Sequence, residues 1–329
     1  MLNNDQRSAL TLGQKSVMFI QASPARMVVI ISFFLVLLTI VYNPPSLNWN
    51  TFGSLTSLTM LLSFCCVGQT FVLIGGGVDF TVGSVMSSTA VLTCYLMNGQ
   101  DGRFFHVFFF AMLIGAVVGL FNGICVTKIE LPPMIITVAI GNIITRLSFV
   151  MTSGSPRGVA APSFMASVSY RIGGVLPSIV LYAGVIWTLV FFLLNRSTFG
   201  MQLYLVGNNP SAAALNGINV KKVKIFSYVL SGIFTAFTGM LGAGYLGLAR
   251  CQVFDDYAFN SLIAVIIGGT SFLGGIGTYS GSIAGAFLLT VLSNLLTVLQ
   301  LSQPIKNIVL GSVVVLLLLI YNRGKSVRQ

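Results

Sequence analysis

Acidic side chains are the scarcest chemistry in this chain. Among 329 residues only six are Asp or Glu (Asp5, Asp79, Asp101, Glu130, Asp255, Asp256), beside a single histidine, His106, and five cysteines. Acid–base catalysis, metal cages and disulfide frameworks each need several such groups to converge. A Ser-His-Asp or paired-carboxylate constellation could be assembled only by drawing members from opposite membrane faces. Charged residues of both signs make up just 7% of the chain, against about 25% in soluble domains, which excludes a water-soluble globule. The phosphate-cradling pattern GxxxxGK[ST] is missing as well, so this polypeptide is not expected to bind ATP itself. Cys65, Cys66, Cys94, Cys125 and Cys251 lack metal-ligand spacing and read as small hydrophobes. Neither a cofactor nor a metal is expected on this chain.

What the chain has instead is apolar length: 55% of it is hydrophobic and its mean hydropathy is +0.94. A helix crossing a hydrocarbon core of about 30 Å needs roughly 20 apolar residues at about 1.5 Å each. About ten such stretches occur, near 27–42, 52–74, 79–98, 104–126, 131–152, 174–194, 225–248, 258–273, 279–301 and 305–321. The expected fold is therefore all-α, a polytopic integral membrane protein with about ten transmembrane helices. The third and eighth stretches are the weakest, being short or interrupted by glycine. Residues 1–26 and 322–329 form polar tails around a membrane domain at 27–321. The first stretch reads as an uncleaved anchor, because no short apolar region with a small-residue cut site precedes it.

The net charge of +11 reports topology. A DNA-reading domain gathers its basic residues on one face, whereas here short basic clusters alternate with apolar runs, and no nucleic-acid partner is expected. Basic loops tend to stay in the cytoplasm. With the N-terminus inside, that side collects Arg7, Lys15, Arg26, Lys128, Arg196, Lys221, Lys222, Lys224, Arg323, Lys325 and Arg328, against Arg103, Arg157, Arg171 and Arg250 outside. Both termini are thus expected in the cytoplasm.

The longest inside connection spans residues 195–224. Asn209 can cap a helix there, Pro210 suits its first turn, Ala212 to Leu215 favour it, and Gly217 can end it in a left-handed conformation. So short a helix is not stable alone and must pack against this chain, a partner below the membrane, or lipid headgroups.

Two glycine-rich segments, IGGGVDFTVGS (74–84) and IGGTSFLGGIGTYSGSIAG (267–285), interrupt the apolar pattern and echo each other. Irregular backbone at membrane depth survives only inside protein or beside a water-filled cavity, so both belong at an internal seam. Asp79 follows three glycines. It either fixes the broken-helix turn beside the transport path by accepting backbone hydrogen bonds, or caps the third span at the cytoplasmic interface. Small residues four apart (Gly115, Gly119, Gly123; Gly281, Gly285) allow close helix approach, within one subunit or across a dimer. Arg146, roughly 22 Å along its helix from Leu131, is within snorkelling reach of the outer surface or contacts substrate; Lys306 and His106 read as interface anchors. The residues assigned to the substrate pathway are Gly75, Gly76, Gly77, Asp79, Thr81, Ser84, Asn142 and Arg146.

The segment GGGVDFTVGS resembles the GGxDLSVGS signature of permease subunits of bacterial ABC importers for ribose, arabinose, xylose, galactofuranose and autoinducer-2. RSTFG (196–200), GNNPSAAALNGINVKKVK (207–224), VLSGIFTAFTGML (229–241), IAVIIGGTSFLGGIGTYSGSIAGA (263–286) and IVLGSVVVLLLLI (308–320) resemble the same family in the same order. The resemblance implies a permease pair, identical or homologous, in the bacterial inner membrane. It further implies a cytoplasmic ABC ATPase, in two copies or as a duplicated chain, and a periplasmic substrate-binding protein that delivers the solute. It places the ATPase contact on Gly207, Asn208, Asn209, Pro210, Ala213, Leu215, Gly217 and Ile218. Asn208 replaces a family glycine and Pro210 and Ser211 stand at acidic positions, so that contact is expected to be less ionic. Ala258, Phe259 and Asn260 replace an acidic pair around a leucine, and Asp255 and Asp256 lie nearby but shifted. The expected function is import of a monosaccharide or similar small polar solute; a stand-alone secondary transporter or facilitator is the alternative, for which only one plausible membrane acid is present.

Overall fold

The computed structural model describes residues 24–44 and 48–323. The ends of both tails, with Arg7, Lys15, Lys325 and Arg328, lie outside the described residues. Thirteen α-helices follow one another among those described: α1 (Pro24–Tyr42), α2 (Trp49–Ile74), α3 (Val82–Met97), α4 (Phe104–Thr127), α5 (Pro133–Thr152), α6 (Pro162–Ser169), α7 (Ile179–Asn195), α8 (Thr198–Asn208), α9 (Pro210–Leu215), α10 (Val220–Leu246), α11 (Tyr257–Ile267), α12 (Tyr279–Val298) and α13 (Gln303–Arg323). Six of them are long and apolar enough to cross a membrane, and α7 with α8, bent by 63° at Arg196 and Ser197, would add one broken span.

The weak third and eighth stretches become α3 and α11, of 16 and 11 residues. At about 1.5 Å per residue both fall short of a 30 Å core, because the glycine segments beside them are not helical. The sixth stretch starts at Ile179 rather than near 174. Residues before it form a small antiparallel hairpin, β1 (Arg171–Ile172) with β2 (Leu176–Pro177), turned by Gly173 and Gly174 at positive φ. The stretch expected to begin at 225 instead begins at Val220, since the Asn219 side chain accepts the Lys222 amide at 3.0 Å and starts the helix early.

Two helices, α2 and α10, form the centre. The side chains of α2 from Leu61 to Ile74 are all buried, including Ser63, Gln69 and Thr70. Around them α1, α4, α5 and α7 present large apolar side chains outward, such as Phe33, Phe105, Ile135 and Val185, the surface a helix offers to lipid. Between helices in lipid, packing and hydrogen bonds replace the hydrophobic effect. A Cβ on Gly115, Gly119 or Gly123 of α4 would collide with the α10 backbone at Gly232, Tyr228 or Ile225. That stripe therefore serves packing within one subunit. Gly281 and Gly285 of α12 press in the same way on Gly268 and Ala264 beside and within α11.

Candidate functional site: the glycine junction, the buried carboxylate and the exposed arm

Both glycine segments stop a helix by one backbone device. After α2, Gly76 (φ 77°) donates to Leu73 O at 3.0 Å and Gly77 to Val72 O at 2.9 Å. After α11, Gly269 (φ 94°) donates to Ile266 O at 2.9 Å and Thr270 to Val265 O at 3.1 Å. Each is a Schellman motif, with the left-handed residue a glycine because no Cβ obstructs that conformation. The echo in the sequence is an equivalence of backbone.

The two breaks also touch. The Gly275 amide donates to Ile74 O at 2.9 Å, and the C-terminal end of α8 wedges against both. A Cβ on Gly207 would overlap the Ile74 carbonyl oxygen and lie 2.6 Å from the Gly275 nitrogen. Tyr204 of α8 donates its hydroxyl proton to Gly277 O at 2.8 Å. Thus the segment leading to the short cytoplasm-assigned helix is seated in the seam where the broken spans meet.

That short helix is α9. Asn209 accepts the Ala212 amide at 3.0 Å, Pro210 opens the first turn, and Gly217 follows the end at φ 78°, as its residues dictate. Only Ala213 packs inward; Leu215 is 89% exposed. Pro210, Asn209 and Gly217 are likewise exposed, and Ile218 is half-buried. Sequence reasoning missed α8 itself, whose Ser197 accepts the Gly200 amide at 3.0 Å to start it; the RSTFG segment held that capping signal.

Asp79 is 1% exposed. One carboxylate oxygen accepts both the amide (2.9 Å) and the hydroxyl of Thr81; the other accepts the Ser231 hydroxyl of α10 at 2.7 Å. Asn122 of α4 donates to Thr81 Oγ at 3.1 Å, and Tyr228 of α10 donates to Val78 O at 3.2 Å. A buried carboxylate is tolerable only when its lone pairs are used, and here they tie the first break to α10. The turn-fixing role is what this geometry performs; Thr81, not Asp79, occupies the cap position of α3. Gly75, Gly76 and Gly77 line a cavity of about 310 Å³ shared with Glu130, Lys224 and Tyr228. Ser84 donates to Thr81 O at 2.9 Å within the same turn.

Asn142 and Arg146 are not in this cluster. Both sit on the exposed side of α5, with the Arg146 guanidinium 5.9 Å from the Phe149 ring centroid. Lys306 donates to Thr297 Oγ at 2.9 Å, joining α13 to the end of α12. The shifted Asp255 accepts from Ser87 of α3 at 3.3 Å. Among the described residues no three of His, Cys, Asp or Glu come together.

Residues 51–318 match the family described as branched-chain amino acid transport system / permease component. The chain is 30% identical to the galactose/methyl galactoside import permease of Haemophilus influenzae, over 84% of this chain and 88% of that one. It is also 30% identical to the ribose import permease of Bacillus subtilis, over 89% and 91%. The autoinducer 2 import system permease of Yersinia pseudotuberculosis is 30% identical over 80% and 74%. No solved structure matches the chain.

Proposed function

Because the chain belongs to the branched-chain amino acid transport system / permease component family, we propose that it imports a monosaccharide or similar small neutral solute as the membrane subunit of an ATP-binding-cassette transporter. It is a translocation subunit rather than an enzyme, and the ATP is hydrolysed on a separate ATPase. About ten spans, both termini in the cytoplasm and the α8–α9 arm on that side fit the distribution of basic residues. A second permease, identical or homologous, and a periplasmic binding protein complete the assembly in a bacterial inner membrane.

The observation that carries this reading is the seating of Gly207 against Ile74 and Gly275. An ATPase gripping Leu215 and its neighbours would push, through α8, on a place where the two glycine breaks are hydrogen-bonded to each other. Such a push biases one of two permease arrangements, and transport follows if the two differ in affinity for solute. The family description names amino acids, the three relatives galactosides, ribose and autoinducer 2. Asp79, the only buried charged side chain among the described residues, has its oxygens engaged within the protein. Glu130 and Lys224 line the glycine cavity and would suit a zwitterion as well, so it is the solutes in the names of the three relatives that favour a sugar-like polyol.

In proteoliposomes containing the whole assembly, inactivating the nucleotide site of the ATPase is expected to abolish concentrative uptake of D-ribose or D-galactose. Full concentrative uptake by this chain without any ATPase overturns the reading.

A further inference from the structure

Away from the glycine junction, a groove of about 310 Å³ opens between α2, α11 and α12. Three leucines of α2 (Leu55, Leu58, Leu62) and Leu289 form its apolar part, and Tyr257, Asn260, Thr290, Ser293, Asn294 and Thr297 form the rest. Four of these polar residues recur along α12 at helical spacing, so they make a stripe on one face. Thr290 is buried, Ser293 and Asn294 are half-buried, and Thr297 is exposed. The groove therefore deepens from the end of α12 towards its middle.

Its direction follows from the chain. The start of α12 adjoins Gly274 and Gly275, which lie against Gly207 and Asn208 of the arm. Thr290 lies roughly 16 Å and Thr297 roughly 27 Å along the helix from Tyr279. The mouth thus faces away from the arm, and the floor lies near mid-membrane.

The hydroxyls of Thr290 and Thr297 bond back to Ala286 O (2.9 Å) and Ser293 O (2.7 Å) of their own helix. The side chains of Asn260, Ser293 and Asn294 have no hydrogen-bond partner among the described residues. An amide at membrane depth without a partner is costly, and such groups face a wet cavity or a ligand. Two amides supply donors and acceptors in pairs, the Ser293 hydroxyl supplies either and the Thr290 hydroxyl a remaining acceptor. The Lys306 ammonium bonds Thr297 Oγ at the mouth, and no charged side chain is among the lining residues. Its volume is at the small end of the roughly 300–1,000 Å³ range of ligand sites.

From this array we infer that the α2–α11–α12 groove is the site where a neutral polyol of monosaccharide size is received, with Asn260 and Asn294 as its principal hydrogen-bonding groups. The inference rests on the importer reading and adds to it the residues and the face that meet the solute.

The test uses the reconstituted assembly in a Cys251→Ser background. The Asn294→Cys variant is treated from the arm-distal side with a membrane-impermeant methanethiosulfonate, beside Val291→Cys, whose position is buried. Labelling at 294 is expected to be about tenfold faster or more than at 291, and to be slowed by at least one neutral sugar from a panel of pentoses and hexoses that includes D-ribose and D-galactose. Asn260→Leu and Asn294→Leu are each expected to lower uptake about tenfold, with the permease pair and the ATPase still co-purifying. No labelling at 294, protection by none of the sugars, or wild-type uptake in both leucine variants overturns the site. Separation of the permease pair by these variants also overturns it, making the stripe a subunit seam. Uptake that survives loss of the ATPase nucleotide site sinks the importer reading instead, and leaves the labelling result standing by itself.

Discussion

The Gly275 amide and the Ile74 carbonyl oxygen, 2.9 Å apart, join two chain breaks that are distant in sequence and place Gly207 of α8 against both. A helix end carries unsatisfied carbonyls; at Ile74 one of them is satisfied by the other break rather than by water. Movement of α8 is thereby passed to two broken spans together.

Gly207→Ala puts a methyl group into the Ile74 carbonyl oxygen and is expected to lower stability by about 1–3 kcal/mol, the range for overpacked sites. Gly217→Ala meets no neighbour and strains only its left-handed backbone, for about 1–2 kcal/mol. Thermal unfolding of the purified chain in detergent measures the difference. Equal shifts for the two would remove the wedge at Gly207 from the account.

Asp79→Ala leaves the Thr81 amide and the Ser231 hydroxyl buried without their acceptor, and is expected to cost about 1–3 kcal/mol. Asp79→Asn keeps the shape, and is expected to reduce uptake more than assembly. In a double-mutant cycle, Asp79→Ala with Ser231→Ala should show a coupling of about 0.5–3 kcal/mol. Strict additivity would mean that the carboxylate does not tie the break to α10.

Leu215→Ser removes the most exposed apolar side chain of α9. If the ATPase covers it, the lost burial of about 1.5–3 kcal/mol corresponds to roughly a tenfold or greater weakening of ATPase binding, with unchanged melting of the free chain. Titration of the ATPase onto the reconstituted chain reads this, and unaltered affinity would point to a docking surface elsewhere.

Asn209→Ala deletes the cap on the Ala212 amide and is expected to destabilise α9 by about 1 kcal/mol. Hydrogen exchange should then quicken at Ala212 and its neighbours, with α10 unaffected. Protection unchanged at Ala212 would show that the helix is held by other contacts.

Much of this molecule was legible residue by residue, for reasons that are local. Apolar length marks helices that face lipid; Asn209, Pro210 and Gly217 carry cap, first turn and stop within nine positions; and paired glycines after an apolar run stop a helix because only glycine enters the left-handed region freely. Of the residues assigned to the pathway, those that belong to one such local signal lie together in the structure. Gly75, Gly76, Gly77, Asp79, Thr81 and Ser84 are consecutive turns of one break and come together. Asn142 and Arg146, chosen as polar residues in an apolar span, lie on the outer side of α5, because a helix turns its residues to all sides and sequence does not say which side a neighbour will cover.

The amino-acid order alone therefore settled that this is a helical membrane protein with two glycine-broken spans and a capped helix between them, since hydropathy and turn chemistry act over a few residues. That the breaks share a hydrogen bond, that Gly207 seats between them, that Asp79 answers to Ser231, and that Asn260 and Asn294 face one groove were decided only by tertiary packing. Each of those relationships joins segments far apart in the chain, and their meeting depends on which helix faces come together, a choice made by the whole fold at once.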